Sequence, residues 1–221
     1  MSTGNLNLDI LLGKIKENTV YGRIPSGETL NAIRKQFPAV TEKEAQEIYA
    51  LIYGIQTAPR ESAKLVATAP PSFSVRTQST KNTVEKLLSE AESSILITGY
   101  SLSEYFDEMI ETIIQKSRQG VLVKFFVNDI ESQPRFEKLL RNKGRYMEIY
   151  NYKKKKDQMA ALHAKVISTD KKYTLITSAN LSYHGQLGNI ELGTLVDSPA
   201  FAKQVEDVFT QLLFSKVFVE V

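Results

Sequence analysis

The sequence predicts an α/β fold in which a mixed sheet is flanked by helices and preceded by a small helical domain. Between residues 81 and 152, apolar segments of strand length alternate with amphipathic segments of helical period. From residue 161 to residue 196, three strand-like segments follow one another without an intervening helix. Alternation followed by consecutive strands is typical of a mixed sheet in an α/β sandwich.

The first 55 residues have the apolar spacing of three short helices. Leu6 and Ile15 belong to the first apolar pattern, and Ser26 is expected to begin the second helix. Thr41 and Glu44 have capping-box spacing, which predicts the start of a third helix. Three short helices would make a small accessory bundle.

The segment 57–80 separates these helices from the rest of the chain, because it is rich in Pro, Ser and Thr. We therefore predict a helical accessory domain with its linker at 1–75 and an α/β domain at 76–221. The predicted strands of the α/β domain are 95–98, 121–127, 146–152, 161–168, 173–179 and 189–196. Its predicted helices are 81–92, 103–118, 133–142 and 199–214.

Composition and charge limit the compartment and the partners. The chain of 221 residues has no cysteine, as suits a reducing cytoplasm. No apolar run approaches the length of a bilayer crossing, so no membrane span is expected. The net charge is only +3, yet residues 142–172 hold nine Lys or Arg against three Asp or Glu. A local positive field of this kind favours an anionic partner such as nucleic acid.

The basic window contains the pattern His163-x-Lys165-x4-Asp170. Alternate residues of a strand share a face, so His163 and Lys165 are expected to point the same way from the strand at 161–168. A nucleophile would then stand beside a cation that binds phosphate. Asp170 follows in a turn sequence, where its carboxylate would orient the site or cap the turn.

The next two predicted strands add further polar side chains. Ser178 and Asn180 share one face, and both offer donors that phosphate oxygens can use. Glu191 faces opposite to its apolar neighbours on the following strand. Together with His163 and Lys165, these residues form a set able to hold and cleave a phosphodiester.

Each of these features also has a simpler interpretation. The His163–Lys165 pair would otherwise be part of an exposed sheet face, and Asp170 a structural turn residue. A run of four lysines precedes the motif and is either a solvated hairpin tip or a binding site for a phosphate backbone. The run consists of Lys153, Lys154, Lys155 and Lys156. His184 lies in a loop near Gly185, where a solvated residue is expected.

The combined pattern resembles the phospholipase D superfamily. The resemblance rests on His163-x-Lys165-x4-Asp170, on Ser178-x-Asn180 and on Asn189-x-Glu191-Leu-Gly193, and it covers about residues 80–215. The chain looks most like single-motif bacterial members, including small nucleases. With its helical N-terminal part and the segment Leu65-Val-Ala-Thr, it further resembles the phospholipase-D-like component of DISARM anti-phage defence systems. One departure is Thr177, which stands where the family usually has Gly before Ser-x-Asn.

The resemblance implies a phosphodiesterase that needs no metal and no other cofactor. One His attacks phosphorus and forms a covalent phosphohistidine, and a second His protonates the leaving oxygen. Lys165 and Asn180 would neutralise charge on the equatorial oxygens, while Glu191 would orient an imidazole. Asp170 and Glu191 are the motif carboxylates, too few for a two-metal site.

The resemblance also implies a homodimer with a composite active site. The sequence has two histidines, and His184 has Gln186 rather than Lys two residues later. One chain therefore supplies one half-site around His163, and a second copy would supply the other.

Three functions remain open from the sequence. The first is a metal-independent nuclease acting on DNA or RNA in the cytoplasm, with a role in anti-phage defence. The second is a phospholipase or phosphatidyl transferase, although no strongly basic amphipathic helix suited to a membrane surface is evident. The third is a non-catalytic nucleic-acid-binding or scaffold subunit, acting with other subunits of a defence complex.

Overall fold

The computed structural model of the chain describes residues 4–20, 25–57, 61–70, 72, 76–99, 106–128, 130, 136–153 and 160–221. The chain divides into two compact units, Met1–Arg60 and Glu61–Val221. The division falls before the predicted boundary near residue 75, because the segment that follows residue 60 is a strand of the large sheet.

The first unit contains the three predicted helices. They are α1 (Leu6–Val20), α2 (Gly27–Gln36) and α3 (Glu42–Thr57). Ser26 caps α2 by accepting a hydrogen bond from the Thr29 N–H. The predicted capping box forms at α3, where the Glu44 carboxylate accepts from the Thr41 N–H at 2.8 Å. Ile15, Ile33 and other apolar side chains of the three helices form the core of this unit.

In the described part of the second unit, nine strands form one sheet. Its strands are β1 (Ser62–Thr68), β2 (Gln78–Ser79), β3 (Ser94–Gly99), β4 (Leu122–Val127), β5 (Met147–Tyr152), β6 (Val166–Thr169), β7 (Tyr173–Thr177), β8 (Glu191–Asp197) and β9 (Phe218–Glu220). Its helices are α4 (Thr80–Glu90), α5 (Asp107–Arg118), α6 (Phe136–Leu140) and α7 (Pro199–Phe214). The strand order is β2-β1-β8-β7-β6-β3-β4-β5-β9.

The sheet is mixed, as the alternation of elements predicted. Strands β3, β4 and β5 are parallel and are connected through helices. Strands β6, β7 and β8 follow one another as antiparallel neighbours, and β6 pairs with β3. The fold class expected from the sequence is therefore confirmed.

Apolar side chains pack on both faces of the sheet. One face, with Ile97 and Phe125 at its centre, packs against the apolar sides of α4, α5 and α6. On the other face Phe126 contacts Phe209 of α7 and Phe218 of β9, with ring centroids 4.5 Å and 5.1 Å apart. Main-chain pairing holds β6, β7 and β8 in register beside this core, so the ends of the three strands lie next to one another.

Three strands are absent from the sequence prediction, and two others, β6 and β7, are shorter than predicted. Strand β7 ends at Thr177, so Ser178 and Asn180 lie beyond the strand that was predicted to carry Ser178. Strands β1 and β9 pair with β8 and β5, and β2 pairs with β1. Strand β6 begins only at Val166, so the predicted strand at 161–168 is wrong for its first residues. His163 and Lys165 lie in an irregular segment that leads into the strand.

Candidate active site

The polar residues of the motif gather at one end of the sheet because of its antiparallel order. Lys165 precedes β6, Ser178 follows β7, and Glu191 begins β8. In antiparallel neighbours the start of one strand lies beside the end of the next. The topology therefore brings residues from three separate segments of the sequence to the same end of the sheet.

His163 and Lys165 are in direct contact. The Lys165 Nζ lies 3.2 Å from the His163 Nδ1, and it also donates to the His163 main-chain oxygen at 2.9 Å. An ammonium group has only donors, so in this arrangement Nδ1 accepts and a neutral ring carries its proton on Nε2. The sequence prediction that the two side chains point the same way holds, although they do not lie on a regular strand.

Thr98 explains why the strand begins late. Its hydroxyl donates to the Ala164 oxygen at 2.7 Å and accepts from the Val166 N–H at 2.8 Å. A side chain of β3 thus takes the place of main-chain pairing at this point, and the segment with His163 leaves the sheet. No sequence pattern predicted this role, since Thr98 is a polar residue inside an apolar strand.

Lys165 is partly withdrawn from solvent. Burial lowers the pKa of its ammonium group below the usual range, and the nearby Glu191 carboxylate offsets part of this effect. A lysine in this environment gains more from a phosphate than an exposed lysine, because the anion replaces lost hydration. The geometry therefore suits Lys165 to bind an anion next to His163.

Glu191 is held by two neighbours. The Ser178 hydroxyl donates to one of its carboxylate oxygens, and the Asn189 amide donates to the other at 3.0 Å. The Ser178 hydroxyl in turn accepts from the Leu192 N–H at 3.2 Å. These bonds fix the Glu191 carboxylate at the start of β8, near Lys165. Phosphate binding by Ser178 stays a prediction.

Gly193 accommodates the residue that departs from the family pattern. Thr177 pairs with Gly193 across β7 and β8, and a Cβ at position 193 would lie 2.7 Å from the Thr177 Cβ. The Thr177 hydroxyl accepts from the Ala179 N–H at 3.1 Å. The missing side chain at Gly193 therefore makes room for Thr177 beside the site.

Asn180 is flanked by a single π-helical turn, His184–Gly188. Gln186 in this turn is buried, and its Nε2 donates to the Asn180 main-chain oxygen at 3.1 Å. The sequence indicated only a loop here, because neither a buried Gln nor a π turn has a distinctive short-range pattern.

Asp170 lies at the opposite end of β6 from Lys165. It adopts a left-handed conformation with φ of 56°, and its carboxylate accepts from the main-chain N–H groups of Glu92, Ser93 and Ser94. These hydrogen bonds hold the pKa of the carboxyl group below its usual range despite partial burial. Of the two roles open from the sequence, the structure supports that of a structural cap, here at the start of β3.

Replacement of Asp170 by Asn is expected to lower the free energy of unfolding by about 1–3 kcal/mol near neutral pH, since several hydrogen bonds to a charged acceptor are weakened. The folded-state pKa is depressed, so this stabilisation is present above the unfolded pKa of about 4 and is lost as pH falls through the folded value. Urea unfolding at neutral and acidic pH measures both effects.

Asp207→Asn is the matched control for Asp170→Asn, because Asp207 lies exposed on α7 and its partner among the described residues is Lys203, four residues away. The control should change stability by less than about 0.5 kcal/mol. A stability difference for Asp170→Asn that stays the same at all pH values would contradict the assigned role.

The lysine run is only partly described. Lys153 is exposed at the end of β5, and its N–H donates to the Val217 oxygen at 2.8 Å. Lys154, Lys155 and Lys156 lie outside the described residues. Within the described ranges, no three His, Asp or Glu converge as a metal site, and no helix there is long and apolar enough to cross a bilayer.

Residues 84–213 match the family described as cardiolipin synthase, PLD-like domain. The match covers more than half of the chain and includes all of the motif residues from His163 to Glu191. The chain therefore belongs to the phospholipase-D-like family.

Among individual proteins, the DISARM protein DrmC of Bacillus paralicheniformis is 36% identical over 165 residues, which cover 72% of this chain and 67% of that protein. Two solved structures share the fold at low identity. The phospholipase D family member Nuc of Salmonella typhimurium aligns with a TM-score of 0.55 and 15% identity, over 73% of this chain and 99% of Nuc. NucT of Helicobacter pylori aligns with a TM-score of 0.59 and 17% identity, over 73% of this chain and 100% of NucT.

Proposed function

We propose that this protein is a metal-independent phosphodiesterase, specifically a nuclease, that acts through a covalent phosphohistidine on His163. The observation that carries the proposal is the contact between His163 and Lys165 at the end of the sheet where Ser178 is bonded to Glu191. A nucleophile, an anion-binding cation and further polar groups stand together there, as displacement at phosphorus requires.

The reaction consists of two displacements. A ring nitrogen of His163 forms a bond to phosphorus, the bond from phosphorus to the leaving oxygen breaks, and a second imidazolium gives that oxygen a proton. Water then attacks phosphorus, the same second imidazole takes a proton from this water, and the bond to His163 breaks. No external oxidant, reductant or metal is needed for this balance.

Lys165 has to change partners when substrate binds. In the structure its Nζ faces the lone pair of the His163 Nδ1. A phosphate oxygen would attract the ammonium more strongly than a neutral imidazole does, which would release the ring for attack or for a change of tautomer. Asn180 would add a neutral donor to the equatorial oxygens.

The second imidazole comes from another copy of the chain under this proposal. The other histidine, His184, is exposed and packs edge-on against Tyr183 with ring centroids 5.6 Å apart. A symmetric dimer with the active site at its interface would place two His163 side chains and two Lys165 side chains at one phosphate.

Nucleic acid is the substrate that the charge distribution favours. Residues 142–172 hold nine Lys or Arg against three Asp or Glu, and the basic residues lie both before and after His163 in the sequence. Such a positive region favours binding to a phosphate backbone. The same proposal includes a role in anti-phage defence beside other subunits, which the resemblance to DISARM proteins favours, and a cytoplasmic location, which a sequence without cysteine suits.

Cleavage of nucleic acid is expected to survive EDTA and to weaken as salt rises. The chemistry needs no metal, while binding through lysines releases counterions from the phosphate backbone. DNA, RNA and phospholipid vesicles are each incubated with the purified protein, with and without EDTA, over a range of salt. Cleavage of vesicle lipid alone would support the phospholipase alternative, and binding without cleavage would support a scaffold role.

Replacement of all four residues 153–156 by Ser separates local from general charge effects. The salt slope of nucleic-acid affinity should fall with the loss of these positive charges. A matched control replaces four exposed lysines of the first unit, Lys14, Lys16, Lys35 and Lys43, with Ser. Equal slopes for wild type and the 153–156 variant would identify the run as a solvated tip.

In the EDTA experiment, full loss of activity that Mg²⁺ restores would contradict the metal-independent reaction.

A further inference from the structure

The π-helical turn His184–Gly188 is closed by a hydrogen bond from the Asn189 N–H to the His184 oxygen at 2.7 Å. It therefore connects Asn180, just after β7, with the residues that begin β8. Single π turns are rare and occur often at functional sites. This turn lies against the polar end of the sheet, so its internal packing bears directly on the candidate active site.

Two residues of the turn press on the Asn180 main chain. Gly185 is buried, and a Cβ at this position would come within 2.7 Å of the Asn180 nitrogen and closer still to its oxygen. Gln186 is only 1% exposed, and its Nε2 donates to the Asn180 main-chain oxygen at 3.1 Å. Close packing from Gly185 and a hydrogen bond from Gln186 thus define where the Asn180 backbone lies.

The side-chain amide oxygens of Asn180 and Gln186 are buried, and neither has a hydrogen-bond partner among the described residues. These atoms are the Asn180 Oδ1 and the Gln186 Oε1. A buried unpaired acceptor is costly, so a Gln at this place is not explained by stability alone. Among the described residues, the hydrogen-bond partner of the Gln186 side chain is the Asn180 main chain, which points to a role exerted through that residue.

We infer that Gln186 is a positioning residue, which fixes Asn180 so that the Asn180 side chain can bind a phosphate oxygen beside Lys165. This inference rests on the proposed phosphodiesterase site. Gly185 serves the same purpose by letting the turn approach the Asn180 backbone. Gln186 itself does not touch the substrate, and its effect passes through Asn180.

The test is a double-mutant cycle on the full-length chain. Gln186→Met keeps the length and burial of the side chain but removes the hydrogen bond, and it should lower kcat/KM about tenfold. In an Asn180→Ala background the same change should have little further effect, because the residue to be positioned is gone. Ser117→Ala is the matched control, since Ser117 is a buried residue of α5 whose hydroxyl donates to the Ile114 oxygen at 2.8 Å.

Inorganic phosphate provides a readout that does not depend on turnover. Calorimetric titration should show weaker phosphate binding for Gln186→Met than for wild type, and no difference between the two in the Asn180→Ala background. Should Gln186→Met not fold, Gly185→Ala replaces it in the cycle, since the added Cβ displaces the same backbone. Equal losses in both backgrounds would overturn the inference, as they would indicate general destabilisation.

Failure of the inference can be told apart from failure of the proposed function. A wild-type protein that binds phosphate but cleaves no phosphodiester would end the proposed function, and the phosphate cycle would still decide the role of Gln186. A wild-type protein that cleaves substrate, with an unchanged Gln186→Met variant, would overturn only the inference. A wild-type protein that neither binds nor cleaves would overturn both.

Discussion

Replacement of His163 by Asn is expected to abolish phosphodiester cleavage, with a fall in kcat of more than about 10³-fold. Asparagine keeps a polar side chain of similar size but cannot form the covalent intermediate. His163 is exposed at the end of the sheet, so its replacement should leave the unfolding transition unchanged. Initial rates on nucleic acid, with urea unfolding measured on the same preparation, test both parts.

The matched control for His163 is His184→Asn. His184 is the other histidine of the chain, it is also exposed, and it has no lysine two residues later. This variant should keep most of the activity. Unchanged turnover by His163→Asn would refute the covalent mechanism, while complete loss in His184→Asn would indicate that both imidazoles come from one chain.

Mixed dimers are expected to be inactive if the site is shared between two copies. When His163→Asn chains are exchanged with an equal amount of wild type, random pairing leaves about half of the wild-type chains in mixed dimers. Activity per wild-type chain should then fall to roughly half of its undiluted value. Sedimentation velocity establishes the oligomeric state, and differently tagged chains show that subunits exchange.

Asp170→Asn chains are a suitable control for this mixing experiment, because Asp170 caps β3 and lies away from the His163 end of β6. Their addition should not reduce the activity of the wild-type chains. Full activity in a species shown by sedimentation to be monomeric would exclude the composite site. The two imidazoles of a true composite site would titrate as a coupled pair and give a bell-shaped pH profile.

Local sequence pattern was sufficient for most of the elements. The helix predicted at 199–214 matches α7 (Pro199–Phe214), and Ser26 and the Thr41–Glu44 box cap their helices as expected. Capping and helical periodicity depend on residues three or four positions apart, so they are visible in a short stretch of sequence.

Segments that depend on distant partners were harder to predict. Strand β1 lies in a stretch that appeared to be linker, and it forms because it pairs along its whole length with β8. Strand β6 stops short of His163 because the Thr98 side chain, far away in sequence, binds the main chain on both sides of Lys165. Pairing of this kind is decided by tertiary contacts rather than by local preference.

The sequence by itself determined the family, the fold class and the candidate pair of His163 and Lys165, because spacing within one short segment carries that information. Only the tertiary structure decided the surroundings of the pair. It placed Asp170 as a cap on β3, bonded Ser178 to Glu191, and put Gln186 against Asn180. These contacts join residues from different strands and turns, and they exist only once the sheet order has brought the strand ends to one edge.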